Sequence, residues 1–321
     1  MKVLLVGLGR WGERHLRVLL ELGVEVWVAE ADEARRGLAR GAGVAPERVV
    51  TRVDAAVDRV DAVDVVTPAD THLALASVAL RAGRDCFVEK PVAGTVADAL
   101  ALRALVRETG RFLQVGHVFR FHPVAEALRQ RLESGTPGRL RYGAGRFAGF
   151  KRPRADGGIT LNDAIHYFDL FAHLLGRRPT AVTATLRDLL GRGLDDVSFT
   201  AVEYGDVPVF VEAGCFAPAT ARDCVLVGEA ATLAADFAAS TLTVHANRHR
   251  PEPAGWAAAE GDVETIKAAG PEPLRRQMET FLAAVRERRP PAVDVDAGLE
   301  ALRVVEAAQT SAATGRRIAL P

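Results

Sequence analysis

Apolar runs alternate with amphipathic segments from the first residues of the chain. Residues 3–6 are all apolar and predict a buried strand. The segment that follows carries Leu16, Leu19 and Leu20 at positions i, i+3 and i+4, the spacing of one helix face. Residues 24–28 return to the alternation that is typical of a strand. The chain is therefore predicted to begin as a strand–helix–strand unit.

The same alternation continues to residue 116. Further helices are predicted at 31–42, 71–82 and 95–109, and further strands at 49–53, 62–66, 86–88 and 112–115. Strands that alternate with helices are typical of a parallel sheet with helices on both faces. The first part of the chain is thus predicted to be a doubly wound α/β domain.

The rhythm changes after residue 116, where strands follow one another without intervening helices. Helices are predicted at 123–133, 160–175, 273–288 and 297–314, and strands at 139–147, 181–186, 197–204, 207–216, 223–227 and 241–245. Consecutive strands favour a mostly antiparallel, open sheet with helices on one face, as in an α+β domain. We therefore predict two domains, 1–118 and 119–321.

A glycine-rich turn, Gly7-Leu8-Gly9-Arg10-Trp11-Gly12, joins the first strand to the first helix. Gly7 permits a tight turn, Gly9 lets the backbone approach a phosphate, and Gly12 lets the helix lie close to the sheet. The helix amino terminus beyond the turn offers backbone N–H groups to an anion. This context predicts a dinucleotide-binding site that includes Arg10 and Trp11. The alternative is a glycine-rich turn in an ordinary α/β domain.

Glu30 follows the second predicted strand, eighteen positions after Gly12. A carboxylate there can accept hydrogen bonds from the adenosine ribose and would repel a 2′-phosphate, so NAD is predicted in preference to NADP. Asp32 is the neighbouring alternative, but strand alternation favours Glu30. Arg35 and Arg36 lie further on and suit a solvated helix face better than a 2′-phosphate site.

Composition narrows the class of protein. The chain has 321 residues, with 41 basic and 41 acidic side chains, so no overall positive charge favours nucleic acid or an anionic membrane. No apolar run reaches the roughly 20 residues that span a bilayer. Cys86, Cys215 and Cys224 are scattered without metal-binding or disulfide spacing. These features predict a reduced, cytoplasmic protein.

Polar residues follow the predicted strands of the first domain, where ligands of parallel sheets bind. Thr67, Pro68 and His72 follow one strand, and Glu89 and Lys90 end the next. A lysine beside a nicotinamide can stabilise a developing alkoxide. Without the glycine turn, a surface lysine before a turn proline would be the better interpretation.

The predicted helix 160–175 carries a second group of polar residues. Asn162 and His166 are four residues apart and share a face of an α-helix, and Asp169 follows one turn later. His166 is a candidate general acid or base, Asn162 a ligand for a substrate hydroxyl, and Asp169 a partner for the imidazole or for structure beneath it. A metal site that includes His173 is disfavoured because asparagine is a poor ligand. A core helix with satisfied polar groups is the alternative.

These motifs, in this order, make the chain resemble the Gfo/Idh/MocA oxidoreductase family. The resemblance rests on the glycine turn, the run 67–72 (Thr-Pro-Ala-Asp-Thr-His), Glu89-Lys90-Pro91 and the helix that carries His166 and Asp169. It implies a Rossmann domain, an α/β domain with an open sheet, and hydride transfer between a nicotinamide and a secondary alcohol of a sugar or polyol. It also implies a homodimer or homotetramer built on that sheet.

The resemblance also implies residue roles. Lys90 matches the family lysine that contacts substrate and cofactor, and the Lys90–Pro91 bond is expected to be cis. His166 matches the usual catalytic histidine. Many members have aspartate four residues before it, whereas this chain has Asn162 with Asp163 adjacent. Asparagine cannot take a proton, so Lys90 and His166 are expected to carry the chemistry.

One further run points to a substrate class. The sequence 116–123, Gly-His-Val-Phe-Arg-Phe-His-Pro, resembles a run in members that act on nucleotide-linked amino sugars. Arg120, Lys151 and Arg152 would then bind substrate, the latter two through a diphosphate. A solvated loop or a subunit contact explains the basic loop equally well.

Two other functions remain open at this stage. A hydrolase or lyase that uses NAD for transient oxidation would carry the same residues. A regulatory subunit that responds to a nucleotide without catalysis is the second alternative, and the presence of Lys90 and His166 argues against it.

Overall fold

A computed structural model describes residues 1–321 and divides them into two compact units. The first unit contains Met1–Val118 and Glu272–Leu302, and the second contains Phe119–Pro271 and Arg303–Pro321. The first unit thus combines the segment that ends at Val118 with a later return of the chain, Glu272–Leu302. The division into domains 1–118 and 119–321 stays a prediction.

The first unit is built on a parallel sheet flanked by helices. Its strands are β1 (Lys2–Val6), β2 (Glu25–Ala29), β3 (Val49–Val50), β4 (Ala62–Val65), β5 (Asp85–Glu89) and β6 (Leu113–Gly116). Its first four helices are α1 (Gly12–Glu21), α2 (Glu33–Gly41), α3 (His72–Arg81) and α4 (Val96–Thr109). The order β3-β2-β1-β4-β5-β6, with all pairs parallel, confirms the doubly wound fold. The central strands are buried, as both faces are covered.

The second unit is an α+β domain, as predicted. It contains α5 (Pro123–Glu133), a π-helical turn (Thr160–Ala164) and α6 (Ile165–Leu175). Its strands are β7 (Leu140–Ala148), β8 (Ala181–Arg187), β9 (Val197–Tyr204), β10 (Val207–Gly214), β11 (Ala221–Gly228), β12 (Thr232–Asp236), β13 (Thr241–His245), β14 (Arg248–Glu252), β15 (Gly255–Ala259), β16 (Val263–Lys267) and β17 (Ile318–Ala319).

Nine of these strands form one sheet in the order β16-β13-β12-β11-β7-β10-β9-β8-β17. Only β7 and β10 pair in parallel, and every other pair is antiparallel. Strands β14 and β15 form a separate exposed hairpin. The sheet confirms the predicted mostly antiparallel architecture.

Two more helices follow, α7 (Pro273–Glu287) and α8 (Val295–Thr314). Helix α7 explains why the chain returns to the first unit. Its buried residues Leu274, Met278 and Phe281 join the apolar cluster of that unit, and the Phe281 ring meets the Phe87 ring edge-on at 5.6 Å. Burial of this apolar face stabilises the packing of α7 within the first unit, although α7 lies far along the sequence from the rest of that unit. No helix of the protein combines the length and the apolar character needed to cross a bilayer.

Two glycines of β7 determine how closely α6 packs on the sheet. A Cβ atom on Gly145 would lie 2.6 Å from Cδ1 of Tyr167, and one on Gly143 would lie 3.2 Å from Cε1 of Phe171. Tyr167 and Phe171 are fully buried, so α6 can approach the sheet only where side chains are absent. His166 is adjacent to Tyr167 on this helix and is positioned by the same packing.

Candidate functional site

The glycine turn has the shape that a dinucleotide phosphate requires. Gly7 has a φ of 91°, and a Cβ there would lie 2.6 Å from the carbonyl oxygen of Val66. A Cβ on Gly12 would lie 2.2 Å from the carbonyl oxygen of Gly7, whereas a Cβ on Gly9 would meet nothing within 4 Å. Gly7 and Gly12 therefore allow close packing, and Gly9 leaves open space in front of the turn. The residues fit a bound pyrophosphate.

Arg10 and Trp11, which separate Gly9 from Gly12, directly precede α1. Arg10 is exposed, and Trp11 precedes the first helical residue. The guanidinium of Arg14 lies 4.9 Å from the centre of the Trp11 ring. Arg10 is thus available to a ligand at the turn, and Trp11 is partly covered by its own helix.

Glu30 is anchored next to the glycine turn. Its Oε2 accepts a 2.6 Å hydrogen bond from the Leu8 N–H, and its Oε1 accepts one of 2.9 Å from the Asp32 N–H. Each carboxylate oxygen retains a second acceptor site that suits a ribose hydroxyl. Arg36 is occupied by the Glu33 carboxylate and the carbonyl oxygens of Glu30 and Ala31.

His72 links the loops that follow β4 and β5. Its Nε2 lies 2.9 Å from the carbonyl oxygen of Thr67, and its Nδ1 lies 2.9 Å from that of Pro91. The Thr67 hydroxyl also contacts that of Thr71 at 2.7 Å, which orders the turn around Pro68. Burial lowers the pKa of His72, and the two carbonyl contacts oppose that shift. His72 therefore bridges the loop after β4 and the loop after β5.

The Lys90–Pro91 peptide bond is cis, as the family resemblance implied. Lys90 follows the last residue of β5, and its backbone N–H donates a 3.1 Å hydrogen bond to Oε2 of Glu89. The side chain of Lys90 therefore emerges from the carboxyl end of a central strand, where ligands of such sheets bind.

A buried histidine connects α1 to the strand that ends in Glu89. Nδ1 of His15 lies 2.9 Å from Oδ2 of Asp64 on β4, and Nε2 lies 3.3 Å from Oε1 of Glu89. His15 and Asp64 have no exposed surface, and Glu89 is buried. The Trp11 and Phe87 rings meet the imidazole edge-on. We call His15, Asp64 and Glu89 the buried charge cluster.

The two carboxylates keep the histidine charged. Burial by itself would lower the pKa of His15, but the charge and hydrogen bond of Asp64, together with Glu89, raise it to about 10. Burial raises the pKa of Asp64, and the hydrogen bond and charge of His15 hold the pKa of Glu89 below its usual value against the effect of burial. We therefore regard His15 as an imidazolium and Glu89 as a carboxylate at neutral pH.

In the second unit, Asp195 organises the turn that precedes α6. Its Oδ2 accepts hydrogen bonds from both the backbone N–H (2.8 Å) and the hydroxyl (2.6 Å) of Thr160. A Cβ on Gly158 would lie 1.7 Å from Oδ1 of the same carboxylate, so a glycine is required there. This contact explains why glycine occupies position 158 of the Gly157-Gly158 pair.

The turn that Asp195 caps is π-helical rather than α-helical. Residues Thr160–Ala164 form the wide turn, and α6 begins only at Ile165. The predicted α-helical spacing between Asn162 and His166 therefore does not hold across this segment. An inserted residue within a helix produces such a turn, often at functional sites, and no periodicity of apolar residues shows it.

His166 is buried against aromatic side chains. Its ring lies parallel to that of Phe147, with a 13° interplanar angle and 5.5 Å between centroids, and 5.0 Å from the centroid of Phe119. Asn162 is also buried. Asp169 is held by Arg120, whose Nε and Nη2 donate to its two oxygens at 2.8 and 2.6 Å.

The remaining predicted substrate residues lie on or near the basic loop. Lys151 forms an ion pair with Asp163, and its ammonium lies 4.7 Å from the centre of the Phe147 ring. Arg152 is exposed. The structure thus brings Asp163, His166 and Lys151 into one neighbourhood through Phe147 and the π-helical turn.

The sequence analysis missed several residues of both neighbourhoods: His15, Asp64, Phe119, Phe147, Asp195 and Arg222. Two of them left a signal. Asp64 interrupts the otherwise apolar strand 62–66, and a charge in a buried strand requires a partner. His15 lies next to Leu16 on the buried face of α1. The others are recognisable only from tertiary contacts.

Comparison with known proteins covers both units. Residues 1–117 match the model described as "Oxidoreductase family, NAD-binding Rossmann fold" of the Gfo/Idh/MocA type. Residues 143–320 match the model described as "Oxidoreductase family, C-terminal alpha/beta domain" of the same type.

Individual relatives agree with these matches. The chain is 28% identical to inositol 2-dehydrogenase of Rhizobium meliloti over 98% of both chains. It is 35% identical to UDP-N-acetylglucosamine 3-dehydrogenase of Acidithiobacillus ferrooxidans over 57% of both. A solved structure of the latter enzyme superposes with a TM-score of 0.82 over 97% of both chains at 27% identity. Levoglucosan dehydrogenase in complex with NADH and levoglucosan has a TM-score of 0.88 over 100% of this chain and 99% of its own, at 20% identity, which shows the fold.

The buried charge cluster leads to a prediction about stability. Replacement of His15 by glutamine removes the positive charge and leaves two buried carboxylates without compensation. We expect the free energy of unfolding to fall by about 3 kcal/mol or more near neutral pH, the scale for breaking a buried ion pair. Chemical denaturation of both proteins would measure the difference.

The pH dependence of that difference identifies its cause. The folded protein raises the pKa of His15 from 6.5 to about 10, so the imidazolium contribution is complete below 6.5 and is lost as the pH rises toward 10. The stability advantage over His15→Gln should therefore shrink between these values. His249→Gln, which changes an exposed histidine, should show no such trend. A difference that stays constant from pH 6 to 10 would refute a charged His15.

Proposed function

The chain belongs to the Gfo/Idh/MocA oxidoreductase family, and we propose that it is an NAD-dependent dehydrogenase that acts on a secondary alcohol of a sugar, polyol or nucleotide-linked sugar. One observation carries this proposal: the glycine turn, Glu30 and Lys90 all follow the carboxyl ends of strands in one parallel sheet. Ligands of such sheets bind at that edge. Bound NAD would accept hydride from the carbinol carbon.

We assign the cofactor to the first unit. Gly7, Gly9 and Gly12 would admit the pyrophosphate, with Arg10 and Trp11 beside it. Glu30 would accept hydrogen bonds from the ribose, and Thr67, Pro68 and His72 would form the wall on the other side of the turn. NAD is preferred to NADP in this proposal because the anchored Glu30 carboxylate would meet a 2′-phosphate with like charge.

Lys90 is proposed to hold the reacting hydroxyl. Glu89 accepts the Lys90 N–H, and the buried charge cluster fixes Glu89 in turn. The backbone from which the lysine side chain extends is therefore anchored. An ammonium at the hydroxyl oxygen stabilises negative charge as the proton and hydride depart.

His166 is proposed as the general base that removes the hydroxyl proton. Its ring is held against Phe147 and Phe119, so its orientation is fixed by packing. A positioned imidazole of this kind suits proton transfer near neutral pH. Asn162 and Asp163 belong to the turn before it and are proposed to bind substrate hydroxyls.

The sugar-type substrate is supported by the relatives. An inositol 2-dehydrogenase matches along 98% of this chain, and a UDP-N-acetylglucosamine 3-dehydrogenase matches along 57% of it. Lys151 and Arg152 are proposed to bind the substrate. Arg120 donates from two nitrogens to Asp169, so we assign it to holding α6 beneath the substrate residues.

We also propose that the protein assembles into a homodimer or homotetramer through the nine-stranded sheet. Large aromatic side chains are exposed on three strands that neighbour one another in this sheet: Phe199 on β9, Phe210 on β10 and Tyr142 on β7. Phe199 and Phe210 are 54% and 51% exposed. An apolar surface of this kind is more often an interface than a solvated face.

The cofactor preference can be tested at Glu30. We expect the unmodified protein to bind NAD more tightly than NADP because of the like charges of the carboxylate and the 2′-phosphate. Glu30→Ser should narrow the preference, and Glu30→Arg should narrow or reverse it. Titration of both dinucleotides by calorimetry measures this, with Asp32→Ser as the matched control. Equal affinities in the unmodified protein would rule out the assignment.

The proposed catalytic groups can be separated from cofactor binding. Lys90→Ala and His166→Ala should each lower turnover by about 10²-fold or more, the scale for loss of a general acid or base. NAD affinity should change by no more than about threefold, since the glycine turn and Glu30 provide the adenosine end of the site. Net NADH formation with substrate is the measurement.

Two control variants are available in the same chain. Lys267 and His249 lie on exposed strands, and their alanine variants should retain normal turnover. Near-normal turnover of His166→Ala would show that the imidazole is only structural. Conversion of substrate without net NADH would indicate redox-neutral chemistry with recycling of the cofactor.

The proposed interface predicts a change of mass. Light scattering at micromolar concentration should give a dimer or tetramer, and Phe210→Glu should shift it toward monomer because a charge would be buried without a partner. Leu189→Glu changes an exposed residue in a loop and should leave the mass unchanged. A monomeric unmodified protein would contradict the proposal.

A further inference from the structure

The guanidinium of Arg222, at the start of β11, is unpaired in a partly buried position. Its Nη1 donates 2.6 Å hydrogen bonds to the carbonyl oxygens of Ala148 and Ala221, which fix the side chain. Nε and Nη2 have no acceptor, and no carboxylate lies within ion-pair distance. Arg146, on the neighbouring strand, instead donates to both oxygens of Asp223. The Arg222 charge therefore lacks a partner within the protein.

Arg222 shares an aromatic platform with the proposed catalytic base. Its Cζ lies 3.5 Å from the centre of the Phe147 ring, on which His166 is stacked with centroids 5.5 Å apart. Both distances are measured from the centre of the Phe147 ring. The separation between the guanidinium and the imidazole therefore cannot exceed the sum of the two distances. The unpaired charge is thus within the reach of a sugar-sized molecule that contacts His166.

The charges around this platform add to a positive excess. Lys151 lies over the same ring, and Asp163 pairs with it. Asp163 also favours the charged form of Arg222, but burial has the larger effect and lowers the pKa of Arg222. One carboxylate therefore faces two cations, and Arg222 is stabilised by the Phe147 ring and two carbonyl oxygens rather than by a direct ion pair. A buried cation without a direct ion-pair partner is costly, and an anionic ligand would reduce that cost.

From these contacts the geometry points to Arg222 as the residue that recognises an anionic group, a carboxylate or phosphate, on the substrate. The inference rests on the proposed function, because it concerns the molecule whose hydroxyl meets His166. Arginine suits this task because its planar nitrogens donate to two oxygens of a carboxylate or phosphate at once. Nε and Nη2 are adjacent donors and form such a pair.

A neutral polyol would not use this arrangement fully. Sugar hydroxyls can accept hydrogen bonds from a guanidinium, but they carry no charge to offset the burial of a cation. A substrate with an anion gains a charge-assisted pair in a site from which water is partly excluded. We therefore expect discrimination between anionic and neutral forms of otherwise similar substrates.

The test uses pairs of substrates that differ in charge. Glucose and glucuronate differ by a carboxylate, whereas N-acetylglucosamine and UDP-N-acetylglucosamine differ by a nucleoside diphosphate. Initial rates of NADH formation give kcat/KM for each. The unmodified protein should prefer the anionic member of at least one pair by about tenfold or more, and the pair identifies the anion.

Arg222→Gln should remove most of that preference. We expect kcat/KM for the anionic member to fall by about tenfold or more, mainly through KM, while the neutral member changes by less than about threefold. Arg222→Lys keeps the charge without the paired donors and should give an intermediate value; it also serves if the glutamine variant does not fold. Arg141→Gln, an exposed arginine of β7 that pairs with Glu229, should match the unmodified protein.

The outcomes separate this inference from the proposed function. Absence of NADH formation with every substrate would count against the proposed function alone. Binding then decides about Arg222: UDP-N-acetylglucosamine or glucuronate should raise the melting temperature of the NAD-saturated protein, and Arg222→Gln should abolish the shift. Preference for the neutral members, equal losses on both members of a pair, or no anion-dependent shift would overturn the assignment.

Discussion

The first unit depends on one buried imidazolium. His15 projects from the helix that the glycine turn begins, and it contacts carboxylates on two neighbouring strands. The second of these, Glu89, also accepts the backbone N–H of Lys90. A single charged ring therefore connects the proposed phosphate site to the proposed catalytic lysine. Because each member of the buried charge cluster is costly without the others, the three residues function as a set.

Local patterns predicted most of the fold. Alternation and helical spacing identified the strands of the parallel sheet and the bounds of α5, β9 and β13. The strand β12 was missed because its sequence is rich in alanine and carries little strand preference, and β14 and β15 because they are mostly exposed and show no buried face. The return of α7 to the first unit follows from long-range apolar packing, which has no local pattern.

The candidate site was predictable where the spacing in the chain determines it. Gly7, Gly9, Gly12 and Glu30 follow a fixed order along one strand–helix–strand unit, so sequence alone placed them. The surroundings of His166 were not predictable in this way. Phe147 contacts the imidazole from β7, Arg222 contacts the Phe147 ring from β11, and the π-helical turn changes the spacing on which the helical argument relied. Such contacts depend on strand register, which is set by the whole sheet.

The two units differ in how their buried charges are compensated. In the first, burial of His15 is offset by Asp64 and Glu89, so the charge holds structure together and leaves nothing for a ligand. In the second, both oxygens of Asp169 accept hydrogen bonds from Arg120. Arg222, by contrast, donates to carbonyl oxygens, which orient its guanidinium without neutralising its charge. Carbonyl contacts fix a guanidinium at a smaller gain than a carboxylate would provide. Because Arg222 is oriented but not neutralised, its charge can act on a ligand that binds beside it. That position adjoins the Phe147 ring, on which His166 is stacked.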